Sequence, residues 1–336
     1  MSDIPATLPA TLDVVGIGNA IVDVLAHADD RFLEDQGLAK GAMTLIDATE
    51  AETLYAAMGP GIEVSGGSAA NTMAGIASLG GKGAFFGKVR DDQLGEVFRH
   101  DIRAIGVQFE TAPATDGPST ARCLIFVTPD AQRTMQTYLG ASVELGPDEV
   151  EEDTVKAAQI TYLEGYLWDP PEAKAAFVKA AETAHAAGRK VALSLSDSFC
   201  VDRHRAEFRD LVDGHIDVLF ANEDEILSLY DVPDFDGALQ EVRGKCDIAC
   251  LTRSAKGSVL VQGDEVHIVD AVPVAKVVDT TGAGDLYAAG VLFGLSNGYE
   301  LATAGRIGAI CAGEVIGHMG ARPEVPLDRL VKQKLG

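Results

Sequence analysis

Within one short stretch, Asp279-Thr280-Thr281-Gly282-Ala283-Gly284-Asp285, the chain places two carboxylates, two hydroxyls and two glycines. The apolar run that follows, Leu286-Tyr287-Ala288-Ala289-Gly290-Val291-Leu292-Phe293, predicts a buried helix. The amides of Gly282, Ala283 and Gly284 would then lie at a helix start, where unpaired N–H groups and the positive dipole end attract anions. Without Cβ atoms, Gly282 and Gly284 let a ligand come close to the backbone. Asp285 falls in the same first turn. A carboxylate beside an anion hole can take the proton of an alcohol while the amides stabilise charge on a phosphoryl group in transit. A plainer reading has Asp279 or Thr281 capping the helix, with glycines that serve only the turn.

Two further stretches carry residues of the same kind. Gly16-Ile17-Gly18-Asn19 ends an apolar run, with Asp23 just beyond; alone, Asp23 reads equally as a turn cap or a site acid. Glu63-Val64-Ser65-Gly66-Gly67-Ser68-Ala69-Ala70-Asn71 leads a strand through a double glycine into a helix of small residues. The glycines permit close approach of a ligand or tight helix–strand packing, and Asn71 brings a donor and an acceptor. Asn222-Glu223-Asp224-Glu225 follows an apolar run; on its own it reads as acidic capping of a helix start. Two patterns are rejected. The dinucleotide fingerprint beginning at Gly16 has Ile21 where its third glycine belongs, and Gly75 to Lys82 misplaces the phosphate-loop lysine.

These residues need a frame. Strands are predicted at 13–19, 42–47, 83–89, 191–195, 218–221 and 248–252, and the run 274–278 reads as another just before the 279–285 turn. Helices are predicted at 49–58, 93–105 and from Pro170-Pro171 to near Gly188. Strands alternating with helices of ten or more residues mean an α/β protein with a mostly parallel sheet covered on both faces. Residues 107–139 differ, with short alternating runs such as Arg122-Cys123-Leu124-Ile125-Phe126-Val127 between turns. Together with residues 24–47 they form an expected β-rich lid on a single domain spanning 1–336.

The bulk composition bounds the reading. At 336 residues and 47% hydrophobic, the chain can bury a large core. A net charge of −24 argues against nucleic acid or an anionic membrane as partner. It does not exclude a bound polyphosphate, because local groups act inside the roughly 8–10 Å screening length. The five cysteines form no CxxC pair and read as free thiols of a reducing compartment. The first residues lack the pattern of a signal peptide, and no apolar run reaches the roughly 18 residues that span a bilayer. A cytoplasmic protein is expected.

The three glycine-bearing motifs, in this order, resemble the signature of the ribokinase-like (PfkB) family of carbohydrate and nucleoside kinases, and the resemblance runs from about residue 13 to 325. It implies a three-layer α/β/α fold with a small β lid, and ATP with Mg²⁺ as the phosphoryl source. Asp285 becomes the base, and Gly282, Ala283 and Gly284 the anion hole. Asn19, Asp23, Gly66, Gly67 and Asn71 fall where the family binds sugar hydroxyls. Arg133 matches a lid arginine that approaches the phosphates. Asn222 and Glu225 match an element that organises Mg²⁺ through water. Thr252 and Gly257 lie beside the nucleotide with Asn222, Thr281, Gly282 and Gly284; Ser254 replaces a family glycine there. The resemblance also offers a monovalent-cation (K⁺) site at Asp279, Thr281, Val315, His318 and Gly320, and leaves its use open.

Asp29-Asp30-Arg31-Phe32-Leu33, Leu193-Ser194-Leu195-Ser196 and Leu219-Phe220-Ala221-Asn222-Glu223 are similar to the adenosine-kinase branch. That branch implies transfer to the 5′-hydroxyl of a nucleoside, adenosine to AMP, with an apolar slot for the base. Tyr166, Leu167, Trp168 and Phe199 are candidates for the slot. A free-sugar acceptor such as ribose or fructose is the alternative, and an NAD-linked oxidoreductase a remote one. Monomer or homodimer is left open.

Overall fold

The computed structural model describes residues 9–130 and 132–336. In chain order its strands are β1 (Leu12–Ile17), β2 (Ile21–His27), β3 (Met43–Leu45), β4 (Ile62–Gly66), β5 (Gly83–Phe86), β6 (Ala121–Val127), β7 (Arg133–Tyr138), β8 (Ala158–Glu164), β9 (Lys190–Ser194), β10 (Val218–Asn222), β11 (Ile248–Thr252), β12 (Ser258–Gln262) and β13 (Glu265–Val269). Eight of them form one sheet in the order β13-β12-β11-β10-β9-β8-β1-β5, parallel from β11 through β5 and antiparallel at β12 and β13.

The parallel strands are apolar along their whole length because helices cover both faces. Val15, Ile17, Leu163, Leu193, Leu219 and Leu251 face one core with the helices Pro171–Ala186 and Ser198–His215. Val14, Ile160, Tyr162, Val218 and Phe220 face the other, which is shared with the helices Ser68–Ser78, Gln93–Ala104 and Ala283–Ser296. The strand order reverses at β1, which has β5 on one side and β8 on the other. The crevice at the carboxyl ends of strands beside such a reversal is where open α/β sheets bind ligands.

The remaining strands form a second sheet in the order β3-β7-β6-β2-β4. It begins at Ile21 and takes in Ile62–Gly66, so it draws on more of the chain than 24–47 and 107–139. Pairing of Asp23 with Cys123, Cys123 with Thr137 and Val127 with Arg133 puts these residues on one face. Phe126 and Leu124 point the other way, into the core with Phe32, Leu33 and Leu54. One face of the small sheet is therefore apolar and covered, and the other presents Asp23 and Arg133.

The run 274–278 makes no strand. Pro273 removes a backbone donor at its start, and Val278 donates instead to the Ile316 carbonyl at 2.8 Å. Val277 is 52% exposed, so its apolar character reflects no buried strand face.

Candidate active site

The turn 279–285 ends at Gly282, whose φ of 77° and ψ of −2° begin the helix Ala283–Ser296 without a side-chain cap. That left-handed conformation suits glycine, and a Cβ there would also lie 2.8 Å from Ala321. Neither Asp279 nor Thr281 caps the helix with its side chain, although the Ala283 amide donates to the Thr280 carbonyl at 3.2 Å. A Cβ added at Gly284 would meet nothing within 4 Å. The backbone at Gly284 therefore borders open space, as an anion hole requires.

Asp285, in the first turn, accepts from Ser68 Oγ at 2.6 Å and from Asn71 Nδ2 at 3.0 Å. Burial raises its pKa above the ordinary carboxylate value, against the pull of those two donors and of Arg322. This is the environment of a carboxylate made more basic. Close helix packing brings the three residues together: a Cβ on Gly75 would stand 2.5 Å from Ala289 Cβ. Asn71 is 5% exposed and its Oδ1 accepts nothing, which leaves an acceptor unused beside Asp285.

The double glycine serves the protein's own contacts. A Cβ on Gly66 would lie 2.4 Å from the Asp23 carboxylate, and one on Gly67, at φ 96°, would lie 2.2 Å from the Asn19 carbonyl. The Asp23 side chain makes no hydrogen bond or ion pair among the described residues, and burial pushes its carboxyl up to about 6 while Arg322 and Arg133 pull it down. Asn19 is 1% exposed and its side chain is already engaged: Nδ2 donates to Glu164 Oε1 at 2.8 Å, and Oδ1 accepts from Ser142 Oγ at 2.9 Å.

Glu164, Ser68 and Arg322 are site residues that sequence reasoning missed. Glu164 ends β8, is 1% exposed, and accepts from Ala69 N at 2.8 Å as well as from Asn19. It supplies from a distant strand the helix cap that Gly67 cannot, and burial drives its carboxyl to about 7. An acid closing the apolar run Ile160–Leu163 was the available signal. Ser68 lay in plain view between Gly67 and Ala69. Arg322 donates from Nη2 to Ser65 at 2.6 Å, leaves Nε and Nη1 without partners, and acts electrostatically on Asp23 and Asp285. No local pattern marks it.

Arg133 crosses from β7 to the turn. Its Nη1 lies 2.9 Å from Asp279 Oδ2 and donates to Thr281 Oγ1 at 3.0 Å, while Nε and Nη2 have no partner. Asp279 also accepts from the Thr281 amide and hydroxyl at 3.0 and 2.8 Å, and from Gly320 N at 3.0 Å. Val315 ends the helix Leu301–Val315, and His318 sits 3.2 Å from Glu314.

On the far side, Asn222 and Glu225 form a reciprocal capping box that starts the helix Glu223–Tyr230. Glu225 is 5% exposed, and burial raises its carboxyl to about 7. Each of its oxygens accepts one bond from Asn222, at 2.6 and 2.9 Å, so two of roughly four acceptor positions stay free. A hard-oxygen group of this kind fits the water shell of Mg²⁺. Thr252 ends β11, and Gly257, at φ 83°, passes so close to Val269 that a Cβ would strike its carbonyl. Ser254 holds a left-handed φ of 49°.

Of the aromatic candidates, Tyr166 is 38% exposed, and the charges of Asp197, Asp285 and Glu225 add to burial in raising its hydroxyl pKa. Phe199 is 75% exposed. Leu167 and Trp168 are core residues, Trp168 packing on Phe177 and Phe208 and donating to Glu207 at 2.8 Å. Among the described residues, no helix is long and apolar enough to cross a membrane, and all five cysteines are free.

The profile of the pfkB family carbohydrate kinases matches residues 42–328. The crystal structure of an adenosine kinase from Sinorhizobium meliloti is 56% identical, with a TM-score of 0.90 over 97% of this chain and 100% of that one. A probable sugar kinase from Rhizobium etli CFN 42 is 52% identical, again at 0.90, over 97% and 99% of the two chains. The adenosine kinase of Saccharomyces cerevisiae is 26% identical over 96% of this chain and 100% of its own. The fold is accordingly the ribokinase-like one, and the open helix start at Gly284 with Asp285 behind it sits within that frame. The chain is a phosphotransferase of the pfkB carbohydrate kinase family.

Proposed function

We propose that the chain transfers the γ-phosphoryl group of ATP to the 5′-hydroxyl of a nucleoside, converting adenosine to AMP. The observation that carries this reading is the Asp285 carboxylate, raised in pKa and held by Ser68 and Asn71, one residue from an unfilled helix start at Gly284. Asp285 takes the acceptor's hydroxyl proton as the oxygen–phosphorus bond forms. The bond from phosphorus to the ADP oxygen breaks, and the amides at 282–284 hold the negative charge. Asp23 and the free Oδ1 of Asn71 bind ribose hydroxyls; Gly66 leaves room for the Asp23 carboxylate and Gly67 for the Asn19 carbonyl. Asn19 acts through Glu164 and Ser142 by fixing the end of β1.

Asn222 and Glu225 would hold the waters of a Mg²⁺ ion bound with ATP, which would offset phosphate charge. Thr252 and Gly257 border the nucleotide. The unpartnered Nε and Nη2 of Arg133 are the donors left for an incoming phosphate oxygen. The small sheet acts as the lid, since its inner face carries Asp23, Arg133 and an apolar cluster of Cys123, Ile125 and Val127 with Met319 packed on it. Tyr166 and Phe199 flank the base. The work of this protein is nucleoside recovery in the cytoplasm.

The similarity to a probable sugar kinase supports the rival acceptor, a free sugar. Initial rates with adenosine, ribose and fructose separate the two; turnover of ribose or fructose without turnover of adenosine refutes the nucleoside reading. Asp285→Asn should retain ATP binding and lose at least roughly 10²–10⁴-fold in kcat.

A further inference from the structure

We infer that this enzyme carries its own cation at Asp279, the Arg133 guanidinium, and therefore works without K⁺ or any other monovalent ion. The residues that would ligate such an ion do not fit one here. A carboxylate offers about four acceptor positions. Asp279 fills all four: Oδ1 with the amide and hydroxyl of Thr281, Oδ2 with the amide of Gly320 and with Arg133 Nη1. The Arg133 and Asp279 side chains are 8% and 6% exposed, so water screens them poorly. A second cation set against the same carboxylate would meet the like charge of the guanidinium with little water to screen it. The Asp279 charge is already matched.

Through Nη1, Arg133 also positions the anion hole, beside the phosphate contact left to Nε and Nη2. Thr281 donates its hydroxyl to Asp279 and receives Nη1 of Arg133, which closes a triangle of three side chains beside the turn. Arg133 belongs to β7 of the small sheet, whereas Asp279 and Thr281 belong to the turn. The same contact thus ties the small sheet to the turn that must hold the phosphoryl group. A free alkali ion could satisfy Asp279, but it could not make that tie.

The test uses the purified full chain in 100 mM KCl, NaCl or choline chloride. Thermal midpoints need neither ATP nor acceptor, so this arm stands even if the nucleoside reading fails; the rate arm rests on that reading. For the wild type we expect midpoints within about 1 °C and rates within twofold across the three salts. Arg133→Met should lose stability in choline and at least tenfold in rate, and K⁺ should restore part of both where choline does not. Arg133→Lys, which keeps the charge, should stay insensitive to the choice of salt. A wild type activated tenfold or stabilised by several degrees in KCl over choline chloride overturns the inference. So does an Arg133→Met protein as indifferent to K⁺ as the wild type.

Discussion

Replacing Ser68 by Ala removes one donor from Asp285 and nothing from the substrate-facing backbone. Ser68 Oγ lies 2.6 Å from Asp285 Oδ1, a short bond to a carboxylate that favours its charged form. Hydrogen bonds to charged groups contribute about 1.5–3 kcal/mol. At 1.36 kcal/mol per tenfold change, the acid limb of the kcat/KM profile should move to higher pH by roughly one to two pH units. The sign follows from the bond: without the donor the ionised form is less favoured, so the base is protonated at higher pH. On the alkaline plateau, where the base is ionised in both proteins, rates should agree within about tenfold.

Stability provides a second readout. The folded-state pKa of Asp285 is raised, so its contribution is fully present at low pH and is lost as pH rises through that value. Ser68→Ala makes the loss larger. The variant's thermal midpoint should therefore fall further below wild type at pH 8 than at pH 5. An acid limb that stays in place, or an equal loss of rate at every pH, would remove Asp285 from the role of base.

Gly75→Ala puts a Cβ 2.5 Å from Ala289 Cβ and should cost about 1–3 kcal/mol of stability, read as a lower thermal midpoint. Because it also shifts Asn71 and Ser68 against Asp285, kcat should fall more than KM rises. Glu164, held near 7 by burial, contributes stability that is lost as pH rises through that value. Comparing Glu164→Gln with wild type at pH 5 and pH 8 should show the wild type losing roughly 2–3 kcal/mol relative to the variant; a difference independent of pH would contradict the buried charge. Ser254→Gly relieves a left-handed backbone at φ 49°, and should raise stability by less than about 1 kcal/mol while leaving the KM for ATP unchanged.

What could be read from the sequence was local. The glycine turn and its helix, the strand into Gly66 and Gly67, and the helix at Asn222 depend on neighbours within a few residues, so periodicity and punctuation located them. The alternation of strands and helices also gave the parallel sheet, because a strand buried on both faces must be apolar throughout. Even locally, 274–278 shows that apolar β-branched residues make a strand only when a partner edge is present.

Pairing across the chain was decided by tertiary structure. Asp285 meets Ser68 and Asn71 more than 200 positions away, and Arg133 meets Thr281 across 148. Which contacts form at such distances is set by how the sheet folds back on itself and how closely small residues let helices approach. Trp168 could serve as base slot or core until its neighbours were known, and Glu164 had no visible role until β8 ended beside β1. The same holds for Asp279: its residue type allows an ion ligand, and only the arrival of an arginine from another sheet decides what it holds.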